Sequence, residues 1–379
     1  MDFDLSDEQR LLRDSVERWA GDRYADLARI TASRAQPHGF DEANWRELAD
    51  LGLLGLPFAE ADGGFGGGPV ETMLTMEALG RALAPEPYLA CVILGGGAVA
   101  LAGGAAQRRA LLPALAAGNL RLALAHAEAQ ARYDLEDVAA TARDADDCFV
   151  LNGAKTVALN ADAAQFLIVS ARTSGERRDW DGVSLFLVPA EAPGVTVSAY
   201  PTQDGGRAAD ILLSEVTLPK AALLGPLGGG APIIERATQN AVAAICAEAV
   251  GAMDALLALT VEYLKTRKQF GAPIGSFQAL QHRAVDMLTH VEQARSMALY
   301  ATMMTQAEDP AERRTAMASA KAQINRSARF VAQQAVQLHG GVGMTMEYLG
   351  AHYFRRLSMI ELQFADTPSC LRQVAAALE

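Results

Sequence analysis

The chain has 379 residues, half of them hydrophobic and 21% charged, enough to bury large cores in two or three domains and too apolar for a disordered protein. A formal net charge of −12 and a pI near 5.1, with no long basic stripe, exclude nucleic acid or an anionic membrane as the main partner. The four cysteines, Cys91, Cys148, Cys246 and Cys370, are dispersed and form no Cys-x-x-Cys pair, so neither a zinc site nor a redox dithiol is expected. The acidic opening Met1-Asp2-Phe3-Asp4-Leu5 has no signal-peptide pattern and no segment reads as a membrane span, which together predict a soluble, cytoplasmic protein.

Ser6 and Gln9 spell a capping box, and Leu12, Val16 and Trp19 then recur at helical spacing, so the chain is expected to open on a helix. Helical signals continue through residues 45–48, 71–83 and 89–101, interrupted by the glycine-rich run 63–68. That run has neither dinucleotide nor P-loop spacing and reads as a flexible connection between helices. From about Arg121 the texture changes to short apolar runs at 122–125, 148–151, 166–169, 183–188 and 211–213, separated by the turn pairs Asn152-Gly153, Asp181-Gly182 and Pro193-Gly194. They predict a small β domain of barrel or sandwich type. Pro232 then opens four long periodic helices, at 232–267, 276–306, 310–338 and 346–358, which predict a C-terminal bundle. The expected architecture is α+β, with a helical domain over 1–118, a β domain over 119–228 and a helical bundle over 229–379. The absence of alternating βαβ units argues against a Rossmann protein.

Two blocks in the last third carry the chemistry. Arg267-Lys268-Gln269-Phe270-Gly271 gathers a guanidinium, an amide and an aromatic ring at a helix C-terminus, before a glycine that can take positive φ. Gln337-Leu338-His339-Gly340-Gly341-Val342-Gly343 ends another helix in two glycines that let the backbone approach something bulky. Each alone is compatible with ordinary helix capping. Together with Phe277-Gln278-Ala279-Leu280-Gln281-His282 and Asp286-Met287 they resemble the C-terminal signature of the acyl-CoA dehydrogenase flavoproteins.

The resemblance spans the chain and implies that family's fold of an α-domain, a β-domain and a four-helix C-terminal domain. It also implies FAD-dependent α,β-desaturation of an acyl-CoA, with reoxidation by an electron-transfer acceptor. By implication Arg267 and Phe270 contact the pyrophosphate and adenine region of FAD, and Gln337, Gly340 and Gly341 hold its adenosine part. Gln269, Gln278 and His282 are auxiliaries. An arginine suits the pyrophosphate because its planar fork makes parallel charge-assisted hydrogen bonds. Flavin sites in the family are shared between subunits, so a dimer or tetramer is expected, with Met297, Met303, Met304 and Met317 as adaptable packing residues.

Departures from the family pattern are as informative. The base, usually a Glu shortly after the block that reads Tyr353-Phe354-Arg355-Arg356 here, is absent from Leu362-Gln363-Phe364-Ala365-Asp366-Thr367, where only Asp366 lies close. The family's other base position falls at Ala241-Val242; Glu248 lies about 10 Å further along that helix. Glu248 reads either as a base or as an ion-pair residue, since an unpaired carboxylate in an Ala/Val run is costly. The ring-facing motifs are lost too: Ala127-Glu128-Ala129 stands for Thr-Glu-Pro, and Val157-Ala158-Leu159 for the Trp-x-Thr strand. The chain therefore resembles the heteromeric branch of the family, small subunits of the pimeloyl-CoA dehydrogenase kind. That resemblance implies a larger homologous partner carrying the base and ring-facing groups. The alternatives are a self-sufficient homo-oligomer using Glu248 or Asp366, or a partner subunit that binds no flavin.

Overall fold

The computed structural model describes residues 4–378, so Met1, Asp2 and Phe3 of the opening motif lie outside the described residues. In chain order the helices before the sheet are α1 (Asp7–Arg23), α2 (Leu27–Arg34), α3 (Glu42–Asp50), α4 (Pro69–Ala82), α5 (Gly97–Ala102) and α6 (Ala105–Ala116). The strands follow as β1 (Leu122–Ala125), β2 (Thr141–Ala145), β3 (Cys148–Leu159), β4 (Phe166–Arg172), β5 (Val183–Pro189), β6 (Val195–Pro201), β7 (Arg207–Pro219) and β8 (Leu223–Leu224). The C-terminal part holds α7 (Ala231–Thr266), a hairpin of β9 (Lys268–Gln269) and β10 (Ala272–Pro273), α8 (Gln278–Met304), α9 (Pro310–His339), α10 (Leu349–Leu362) and α11 (Thr367–Ala376). By packing the chain divides into two compact units. One comprises the residues up to Ser33, Pro69–Ala84 and Val242–Glu379, the other Arg34–Gly68 and Pro85–Ala241.

In the first unit α1 packs on α4, α4 on α8, α8 on α9, and α9 on both α10 and α11. The Ser6–Gln9 capping box is formed, with each side chain bonded to the other's backbone N–H. α4 and α7 cross at glycines. A Cβ added to Gly80 would lie inside 3.0 Å of the Glu248 backbone, and one added to Gly251 inside 3.0 Å of Glu77 O and Arg81 N. α11 was not expected from sequence. Its position depends on Lys321, buried on α9, whose ammonium donates to Asn325 Oδ1 (2.6 Å), Ile360 O (2.8 Å) and Ala365 O (3.3 Å). These bonds satisfy carbonyls at the end of α10 and hold the turn in which Phe364 takes φ 65°. α7 corrects the membrane reading: it alone among the described residues is long and apolar enough to cross a bilayer, yet 72% of its apolar window is buried inside the fold.

In the second unit the sheet order is β6-β7-β3-β2-β4-β5-β8, with β1 added parallel to β4 and most other pairs antiparallel. Inward-facing side chains from the strands, among them Leu151, Leu167, Phe186 and Ile211, meet in one core. β2 and β6 escape a search for apolar runs because they alternate or are largely polar. Asn152-Gly153 is not a turn: it lies within β3 at a register shift, where Gly153 has φ 146° and a Cβ would collide with Ala140. Before the sheet, Tyr88–Gly96 winds as a fully buried π-helix rather than the expected α-helix, with Gly95 against Leu122 and Gly96 against Phe58. The 63–68 loop is not slack either. The N–H groups of Phe65, Gly66 and Gly67 donate to carbonyls of Gly55, Phe58 and Leu56, so they are unavailable to a phosphate.

Candidate active site

The block after α7 forms a two-residue hairpin. Gln269 pairs with Ala272, Ile274 N donates to Arg267 O at 2.8 Å, and the two central residues, Phe270 (φ 52°) and Gly271 (φ 79°), are both left-handed. Positive φ at both positions is the type I′ turn that matches strand twist. Glycine adopts it freely; a phenylalanine there is strained, and such strain concentrates at binding sites. The Phe270 ring is 93% exposed and touches Phe277 edge-on at 6.1 Å. Arg267, Gln269, Gln278 and His282 are all exposed, on the hairpin and the first turns of α8.

The second block closes α9. Gly340 takes φ 63° and its N–H caps Val336 O; the short 3-10 turn Gly340–Met344 follows. Gln337, Gly340 and Gly341 are exposed, and nothing lies within 4 Å of a Cβ added at either glycine. An exposed backbone cradle free of its own side chains is what a nucleotide needs to reach main-chain groups. The residues present therefore fit the adenosine and pyrophosphate half of FAD.

The two candidate bases have separate surroundings. Glu248, on α7, is gripped by Arg356 of α10 through Nε to Oε1 (2.5 Å) and Nη2 to Oε2 (2.7 Å), with the side chains only 12% and 16% exposed. Tyr353, one turn earlier on α10, donates its hydroxyl to Arg81 O, so α4, α7 and α10 are tied together here. Asp366 is the N-cap of α11, its Oδ1 accepting from Ser369 N at 2.9 Å. Arg81 of α4 bonds Asp254 at 2.8 Å, and Arg295 bridges Asp254 and Glu77 beside it.

In the sheet unit, Val157 is half-exposed with φ 52° at a β3 bulge, a conformation β-branched residues rarely take. Asp210 pins it, accepting from Thr156 Oγ1 (2.6 Å) and Val157 N (3.3 Å). Behind the bulge lies a network that sequence reasoning missed. Lys155, with no exposed side-chain surface, donates to Glu128 Oε1 (2.6 Å), Ser170 Oγ (3.0 Å) and His126 O (3.3 Å). Glu128 also accepts from Gln130 and from the backbone N–H groups of Ala139 and Ala140. Burial pushes the Glu128 carboxyl up, but the ammonium and these donors outweigh it and the net shift is down; burial brings Lys155 down to about 8 despite Glu128. With all three ammonium protons used, Ser170 donates to His126 Nδ1 (2.9 Å) and the ring stays neutral, burial lowering its pKa to about 3. The signal was available: a lone lysine in the apolar alternation of β3 needs a buried anion.

Family models for the N-terminal, middle and C-terminal domains of acyl-CoA dehydrogenases match residues 6–119, 123–220 and 228–362. The chain belongs to the acyl-CoA dehydrogenase family. It is 32% identical over 367 residues to YngJ of Bacillus subtilis, named as a probable acyl-CoA dehydrogenase, covering 96% of this chain and 95% of that one. It superposes on butyryl-CoA dehydrogenase from Megasphaera elsdenii with a TM-score of 0.91 at 27% identity, covering 100% of both chains. It superposes on a chain of the ChsE4-ChsE5 complex from Mycobacterium tuberculosis with a TM-score of 0.88, also at 27% identity, covering 100% of this chain and 99% of that one. The acyl-CoA dehydrogenase fold expected from sequence is thus the observed one, and the chain is of the FAD-dependent, acyl-CoA-oxidising type.

Proposed function

We propose that this acyl-CoA dehydrogenase works as one subunit of a heteromer, the small-subunit kind found in pimeloyl-CoA dehydrogenase, and completes FAD sites shared with a larger homologous partner. The observation that carries the reading is the engagement of both candidate bases. Each Glu248 oxygen accepts from the Arg356 guanidinium, so taking a substrate proton would require breaking a bidentate, half-desolvated ion pair. Asp366 holds the first turn of α11. Ala127, Val157 and Leu159 offer no hydroxyl and no ring to an isoalloxazine, whereas the nucleotide-facing cradle is kept. The match to one chain of a two-protein complex supports the same reading.

When bound, FAD supplies the acceptor for the hydride leaving the substrate's β-carbon. This chain's share is positional. Arg267 would neutralise the pyrophosphate, Phe270 would cover the adenine, and Gln337 with Gly340 and Gly341 would hold the adenosine, while Gln269 and Gln278 support them at the rim. The partner would supply the base, and an electron-transfer acceptor would reoxidise the flavin. The exposed apolar side chains of the first unit suit a subunit interface: Val285 and Leu288 on α8, and Met344 beyond the glycine turn. The methionines named from sequence contribute less, since Met317 is buried and Met297, Met303 and Met304 are partly covered. A dimer or tetramer is the assembly this reading expects, and this surface is offered as its interface. A dicarboxylyl-CoA such as pimeloyl-CoA would need a cation for its far carboxylate, and Arg81 is already committed to Asp254.

Purified alone, the chain should be colourless, and mixing with the larger subunit should restore a visible flavin spectrum and acyl-CoA-dependent bleaching. A yellow chain that acyl-CoA bleaches unaided would overturn the proposal. In the assembled enzyme, Glu248→Gln should lower stability by about 3 kcal/mol, because the largely covered Arg356 guanidinium loses the carboxylate charge it bonds through Nε and Nη2, yet leave the rate of flavin reduction within about twofold. Loss of reduction in rapid mixing, with an unchanged melting temperature, would instead make Glu248 the base.

A further inference from the structure

Backbone bonds hold the glycine turn locally, from Gly340 N to Val336 O, Thr345 N to Val342 O and Tyr348 N to Thr345 O, and a buried imidazole ties it to the fold. His339, the last residue of α9, is 4% exposed, and its Nδ1 lies 2.8 Å from Ala335 O. A carbonyl only accepts, so Nδ1 carries the proton and Nε2 of the neutral ring is a bare acceptor. Tyr348 Oη lies 2.8 Å from that Nε2 and must therefore donate to it. Burial keeps the ring neutral by lowering the His339 pKa and raises Tyr348 to about 12, so both groups hold these forms at physiological pH. The Tyr263 ring from α7 lies 4.6 Å from the imidazole, and the Tyr348 ring 4.9 Å. Between the two bonded residues the chain makes its turn, and Gly343 rests so close to His339 Cβ and Val336 O that a side chain there would collide. A Cβ added at Gly340 or Gly341, by contrast, would meet nothing within 4 Å.

We propose that His339 and Tyr348 are positioning residues, a clasp whose side-chain hydrogen bond joins the two ends of the 339–348 loop and, with the loop's own backbone bonds, presents the Gly340 and Gly341 backbone to the adenosine diphosphate part of FAD. The inference rests on the reading of that turn as a nucleotide cradle. It adds that the cradle is preformed by α9 and the loop before α10, without the ligand. A turn held only by its own short backbone bonds has more conformational freedom, and ordering it on binding would lower affinity. The hydroxyl also explains why a tyrosine stands at 348, where a phenylalanine would fill the same space.

Tyr348→Phe tests this, because it removes only the donor. In the full-length chain, hydrogen–deuterium exchange over residues 340–345 should speed up several-fold with the melting temperature unchanged. In the assembled oligomer, FAD titrated by flavin fluorescence should bind about fivefold more weakly, the size of one neutral hydrogen bond. Gly341→Val is the control for the underlying reading: a Cβ added there meets nothing within 4 Å, so the fold should survive while FAD binding is lost. Normal exchange and normal FAD affinity in Tyr348→Phe, with binding lost in Gly341→Val, would overturn the clasp and leave the cradle standing. Normal binding in Gly341→Val would overturn the cradle and the clasp with it.

Discussion

Replacing Gly251 with alanine should cost the protein about 4 kcal/mol or more, an exceptionally large loss for a point change, and lower the urea midpoint sharply. The added methyl would fall inside 3.0 Å of Glu77 O, its carbonyl carbon and Arg81 N, all main-chain atoms of α4. Ordinary overpacking of a core costs about 1–3 kcal/mol because side chains can shift. Here the obstacle is the backbone of a second helix, which moves only as a whole. The contact is reciprocal, since Gly80 meets the Glu248 backbone in the same way. Gly80→Ala should therefore match Gly251→Ala, and the double variant should lose less than the sum, because one separation of the helices relieves both clashes. That separation would also strain the pair built across the crossing, Arg81 with Asp254. A Gly251→Ala protein melting within about 2 °C of the parent would show that the two helices do not touch as described.

The second large effect is expected at Lys155. Lys155→Met should destabilise the sheet unit by about 3–5 kcal/mol, since it leaves the Glu128 carboxylate buried without its cation. Two backbone N–H groups and Gln130 still reach Glu128, which keeps the estimate from rising further. Pairing the change with Glu128→Leu should recover most of the loss, because a buried ion pair contributes little net stability against an apolar pair of similar volume. Chemical unfolding of the two single variants and the double variant completes the cycle. Additive losses would mean that the two charges stabilise the sheet independently. If Lys155→Met also opens the 126–138 segment to proteolysis, the network's role is to hold that segment on β4, as its bonds to His126 O and Ser170 indicate.

Features encoded in short stretches were legible without a structure. The Ser6–Gln9 box, the switch from helical to strand texture near Arg121, and the chemistry of the Arg267 and Gln337 blocks depend on neighbours within one or two turns. From these the α+β architecture and the acyl-CoA dehydrogenase family follow. The exposed left-handed Phe270 was half legible: the glycine beside it announced a turn, but only the pairing of Gln269 with Ala272 put the phenylalanine in it too.

What the tertiary structure alone decided are the partners of groups that sequence shows singly. Glu248 reads in sequence as a lone carboxylate in an Ala/Val run, and the fold sets the Arg356 guanidinium, 108 positions away, against both its oxygens. Gly80 and Gly251 look like weak points in two helices, and become the reason α4 and α7 can meet. Asn152-Gly153 reads locally as a turn, but the register with β7 makes it a bulge inside a long strand. Local pattern reports which backbone conformation a segment prefers and which face is apolar. It carries nothing about which distant charge or carbonyl will stand opposite, because that choice is made by packing, when burial makes every unpaired polar group costly and every extra methyl a collision.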